Sequence, residues 1–131
     1  MESQKNTVLI VDDDPSICKL IARVCTKFRY VPMVVPDRDE FEAAMGSQNL
    51  CLVITDLQMP EFDGIEFMNL LASERTDVPV VILSGFDPRV LQTAKSFARS
   101  VGLTVLDALK KPLSVEDLGA VLDRARSRVT A

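Results

Sequence analysis

The sequence predicts an α/β fold, one parallel sheet covered by helices on both faces. Three observations carry this. Five apolar segments alternate with five helical patterns along the chain. Four of those segments are β-branched and apolar nearly throughout, without the in–out alternation of a half-exposed strand. Two helix starts are marked by Asp-Pro pairs, a capping carboxylate followed by a proline at the first helical position. Strict β–α alternation implies parallel strands joined by right-handed crossovers.

The elements follow in order. "TVLIV" (7–11) is the first strand, and Asp14-Pro15 opens the first helix, whose apolar stripe is Ile17, Leu20, Ile21, Val24 and Phe28. "VPMVV" (31–35) is the second strand, and Asp37 with Glu40 reads as a capping-box variant for the second helix. "CLVIT" (51–55) runs straight into Asp56, and Asp63 beside Gly64 marks the start of the third helix. "VPVVIL" (78–83) leads to Ser84, and Asp87-Pro88 starts the fourth helix. "LTVLDAL" (103–109) leads to Lys110-Lys111-Pro112. Ser114 with Asp117 reads as a capping-box variant for the fifth helix, whose apolar pattern is Val115, Leu118, Leu122 and Ala125.

With 131 residues, 47% hydrophobic and 26% charged, the chain has the size and composition of one globular domain, without a linker or repeat. Its apolar runs are too short to cross a bilayer, and "MESQKNTVLIV" has neither the basic region nor the long apolar stretch of a signal peptide. A cytoplasmic location is expected, with no membrane partner. Cys18, Cys25 and Cys51 sit in apolar segments at spacings unlike a metal site, so reduced, buried thiols are expected. Histidine is absent, which removes Ser/His/Asp and Cys/His catalysis, most metalloenzymes and any role as a phosphohistidine donor. A net charge of −4 gives no basic face for nucleic acid.

In an open parallel sheet, ligands bind beyond the carboxyl ends of the strands. Those ends carry Asp12, Asp13 and Asp14 after the first strand, Asp56 after the third, Ser84 after the fourth, and Lys110 and Lys111 after the fifth. Asp14 is accounted for as a cap; Asp12, Asp13 and Asp56 are not. Two carboxylates ~4 Å apart repel by roughly 4 kcal/mol at an effective dielectric near 20. A cation is needed to hold three together, and a hard divalent ion such as Mg2+ suits oxygen ligands without histidine or thiolate. Two charges from magnesium and one from lysine balance the three carboxylates. Lys111 is preferred over Lys110 because Pro112 stiffens its backbone. Carboxylates serve as covalent nucleophiles toward phosphoryl groups, and the solitary Asp56 at the middle of the sheet fits that role.

"VLIVDDDP", "VITDLQMPEFDG", "VPVVILSG" and "KKP", in this order, resemble the receiver domain of two-component response regulators. The resemblance implies a flavodoxin-like fold of strand order 2-1-3-4-5, and a single receiver domain over 1–131 with its core at about 5–127. It implies that Asp12, Asp13, Asp56 and the backbone carbonyl of Gln58 hold Mg2+, and that Asp56 accepts a phosphoryl group. Ser84 would turn toward that group and Lys111 would be the "KP" lysine, often followed by a cis peptide at the proline. The partners implied are a sensor histidine kinase or histidine phosphotransfer protein upstream and an effector domain or output protein downstream, with a phosphorylation-dependent dimer as a further expectation. Ala108 stands where family members carry tyrosine or phenylalanine, and Asp107 is unusual in a strand, so the family's aromatic relay is not expected here. Two rival readings are a receiver-like interaction module that works without phosphorylation and a small magnesium-dependent phosphatase acting through an aspartyl phosphate. Such a phosphatase needs an aspartate two residues after its nucleophile, where this chain has Gln58.

Overall fold

The computed structural model describes residues 6–35, 38–46, 49–56, 64–74, 77–85 and 87–130. The chain runs β1 (Thr7–Val11), α1 (Pro15–Lys27), β2 (Val31–Val34), α2 (Arg38–Ala44), β3 (Leu50–Asp56), α3 (Gly64–Glu74), β4 (Val80–Ser84), α4 (Pro88–Ser100), β5 (Val105–Lys110), α5 (Val115–Thr130). All pairings are parallel, in the order β2-β1-β3-β4-β5.

Successive residues of the central strands point to opposite faces, and both faces are buried. Leu9, Val53, Val80 and Ile82 pack with Phe41 of α2, Phe67 and Leu71 of α3, and Ala94 and Ala98 of α4. Val8, Ile10, Leu52, Ile54, Val81 and Leu83 pack with Ile21 and Val24 of α1 and Leu118 and Leu122 of α5. A strand covered on both sides has no polar face to alternate with, hence the continuous apolar runs.

The expected caps form. Ser16 N–H donates to Asp14 Oδ1 at 2.8 Å, Arg89 N–H to Asp87 Oδ1 at 2.9 Å, and Asp117 N–H to Ser114 Oγ at 3.0 Å. The capping roles expected of Asp37 and Asp63 lie outside the described residues. At the other end of α4, Gly102 adopts φ 89° and Leu103 N–H reaches back to the Ala98 carbonyl at 2.9 Å, which turns the chain into β5. The cysteines are free and buried.

β2 departs from the expectation of burial on both faces. Val31, Met33 and Val34 are 50%, 37% and 43% exposed, because β2 is an edge strand. Val31 N–H and Val35 N–H donate to β1-side carbonyls, so the outward positions between them are 32 and 34, and at the first of these Pro32 has no N–H to offer. Proline there leaves the edge one donor short for pairing with another chain. Strand boundaries also shift: β4 begins at Val80 rather than 78 and β5 at Val105 rather than 103.

Candidate functional site

Parallel pairing brings the carboxyl ends of β1, β3, β4 and β5 to one rim. Val11 pairs with Thr55, so Asp12 and Asp56 extend adjacent strands side by side. Asp56 pairs with Leu83, and Ser84 with Lys110, which delivers Ser84 and Lys111 to the same rim. Asp12, Asp56 and Ser84 are 5%, 6% and 7% exposed, unusual burial for two carboxylates and a hydroxyl. Asp13 is exposed beside them.

Carboxylate oxygens of Asp12, Asp13 and Asp56 lie within 4.8 Å of one another. Asp12 Oδ1 accepts the Asp14 N–H at 2.8 Å, which turns Oδ2 toward the cluster. The Lys111 ammonium stands 2.9 Å from Asp56 Oδ2, as a hydrogen-bond donor, and 3.1 Å from Asp12 Oδ2. The second contact is a charge contact without hydrogen-bond alignment, so the solvent-inaccessible Asp12 Oδ2 is left without a hydrogen-bond donor. A buried carboxylate oxygen in that state fits a cation-binding role.

The electrostatics agree. Burial raises the pKa of Asp12 above the ordinary carboxylate value. The Asp14 amide and Lys111 offset part of that rise, and the Asp56 charge adds to it. Burial works against the charge on Lys111, but the Asp56 and Asp12 carboxylates outweigh it and raise its pKa. Ser84 accepts the Lys111 N–H through its carbonyl at 2.9 Å, which ties the lysine's backbone to the end of β4. The Lys111-Pro112 peptide is cis. Gln58 lies outside the described residues.

Two neighbours of the site were not singled out in the sequence. Cys18 donates its thiol to the Asp12 carbonyl at 3.3 Å, and burial, then the nearby carboxylates, push its pKa up to about 11. Its position one turn after the Asp14 cap, on the buried stripe of α1, is the signal that could have found it. Pro15, Cys18, Lys19, Ala22 and Val34 line an open groove of about 430 Å³ beside Asp12 and Asp13. Thr55, fully buried, donates its hydroxyl to the Asp56 carbonyl at 3.0 Å.

The family model for the response regulator receiver domain matches residues 8–123. The chain is 32% identical over 110 residues to the regulatory protein VirG of Agrobacterium tumefaciens, covering 84% of this chain and 39% of VirG. It is 31% identical over 132 residues to protein-glutamate methylesterase/protein-glutamine glutaminase 4 of Myxococcus xanthus, covering 99% of this chain and 36% of that protein. The chain thus spans well under half of these curated relatives. A solved response regulator from Colwellia psychrerythraea superposes with a TM-score of 0.79 at 30% identity, over 94% of this chain and 98% of that one. Strand order, buried strand-end carboxylates and the match across residues 8–123 agree. The chain belongs to the response regulator receiver domain family.

Proposed function

We propose that this receiver is a cytoplasmic phosphoacceptor switch whose Asp56 takes a phosphoryl group from a phosphohistidine of a sensor kinase or histidine phosphotransfer protein. The observation that carries this reading is the meeting of three carboxylates and one ammonium at the ends of adjacent parallel strands.

In the transfer, an Asp56 carboxylate oxygen forms a bond to phosphorus as the phosphorus–nitrogen bond to the donor imidazole breaks, and the electron pair leaves with the imidazole nitrogen. Magnesium, when bound by Asp12, Asp13, Asp56 and the Gln58 carbonyl, supplies positive charge for the phosphoryl oxygens. Asp14 N–H fixes the orientation of Asp12. Lys111, already donating to Asp56 Oδ2, passes to the phosphoryl oxygens as charge moves onto them. The Ser84 hydroxyl, at the neighbouring strand end, turns to a phosphoryl oxygen and biases the chain that follows β4. The apolar groove of Pro15, Cys18, Ala22 and Val34 beside the carboxylates suits a donor helix presenting its histidine. Turnover of a free metabolite is not part of this role; the domain catalyses its own phosphorylation and slow dephosphorylation.

The chemical nature of the adduct tests this. After incubation with phosphoramidate and magnesium, phosphorus NMR should show one acyl phosphate signal that hydroxylamine removes. A hydroxylamine-stable phosphoester, at Ser84 for instance, would overturn the assignment.

A further inference from the structure

Among the described residues the sheet has two free edges, β2 and β5, and both raise the same hazard: unpaired backbone groups that a strand from another molecule can extend. On β2 the proline at position 32 interrupts the row of outward donors. β5 has no proline, and its segment Val105–Lys110 reads "VLDALK", apolar apart from Asp107 and the terminal lysine. Something else must close it.

Lys111 N–H points inward, to the Ser84 carbonyl of β4. By the two-residue alternation of a strand, Leu109 points inward as well, and Ala108 and Lys110 present their backbone groups outward. The outward Ala108 N–H is nevertheless engaged: it donates to Oδ1 of Asp107, the preceding residue, at 2.7 Å. The other carboxylate oxygen, Asp107 Oδ2, pairs with the Arg124 guanidinium of α5. The β4–β5 register slips one residue earlier, Val80 facing Val105 and Val81 facing Asp107, so Leu106 is left over as a bulge. A bulge turns Asp107 so that its side chain lies along the edge instead of into either core. The side chains of Arg124 and Asp107 are 51% and 35% exposed, so the ion pair adds little to stability. What it does is hold one oxygen of Asp107 so that the other stays on the amide.

We infer that Asp107, held by Arg124, is an edge guard: it occupies the outward amide at the middle of β5 and so prevents a strand of a second copy of this chain from pairing there. The opposite edge lacks one outward donor because of Pro32, so each edge is interrupted by one blocked or missing amide. The guard needs one acceptor on the Ala108 amide and a second oxygen held by Arg124. An asparagine keeps one and a valine does not, while valine also makes the segment a more apolar, β-prone strand.

The test combines amide exchange and mass. In the wild-type protein, the Ala108 amide should exchange at least ~10-fold more slowly than the equally outward Lys110 amide. Asp107→Val should lose that protection in dilute solution, and its mass by light scattering should climb above the wild-type value as concentration rises. Asp107→Asn, which keeps one acceptor but cannot pair with Arg124, should protect the Ala108 amide less than wild type and more than Asp107→Val. Exchange of Ala108 as fast as that of Lys110 in the wild type overturns the inference, whether or not the valine variant folds. So does a folded Asp107→Val that keeps the wild-type mass throughout.

Discussion

Lys111→Met is expected to lower the stability of the metal-free protein by about 3 kcal/mol, and magnesium should restore much of the loss. Lys111 is the one cation contacting both Asp12 and Asp56 among the described residues, at 3.1 and 2.9 Å. Methionine keeps most of the stem and removes the charge, which leaves two buried carboxylates facing each other. Breaking a buried pair in this way costs roughly 3 to 5 kcal/mol, and the low end applies because the lysine side chain keeps 25% exposure. The same change removes the ammonium that competes for the carboxylate oxygens, so magnesium should bind on the order of 10-fold more tightly. Urea denaturation with and without magnesium, alongside calorimetric titration, checks both halves. An unchanged midpoint without metal would show that the ion pair contributes nothing to the fold. The raised pKa of Lys111 sets the pH window: the pair's contribution is fully present below the unfolded value of 10.5 and is lost as pH climbs through the higher folded value.

Asp12→Asn should act in the opposite direction on stability. Asp12 is buried, its pKa is raised, and Oδ2 lacks a hydrogen-bond donor. Asparagine keeps the shape and the acceptor for the Asp14 N–H but removes a desolvated charge beside Asp56. The metal-free variant should therefore be more stable than wild type, while its magnesium affinity falls on the order of 100-fold. A folded-state pKa above the unfolded value of 3.8 means that the folded protein binds this proton more tightly. For this group alone, metal-free stability should rise as pH drops through the raised folded pKa, the gain being complete below the unfolded one. That increment should be missing in Asp12→Asn. A variant that binds magnesium as well as wild type would remove Asp12 from the ligand set.

Much of the site was legible in the sequence because its residues interrupt patterns with strong physical causes. Asp56 is the one charge on an otherwise apolar run broken only by Thr55, and Asp12 and Asp13 exceed what capping α1 requires. Strand ends were less legible: Val78 and Leu103 are as apolar as the strands they precede, and burial in a loop leaves the same trace as burial in a strand. The exposure of β2 had one signal, Pro32, since a proline inside a strand belongs at an edge, but the residues around it favour edge and central strands alike. Asp107 looked misplaced for a reason that spacing does not reveal: its partner Arg124 lies on α5, and its use of the Ala108 amide follows from a bulge at Leu106.

The central claim is that Asp56 forms a covalent bond to phosphorus within a magnesium-binding carboxylate cluster. The measurement closest to it is the intact mass of the protein after incubation with phosphoramidate, with magnesium or with a chelator. Wild type should gain one phosphoryl group with magnesium and none with the chelator, and Asp56→Asn should gain none in either. An unmodified wild type, or an undiminished gain in Asp56→Asn, would contradict it.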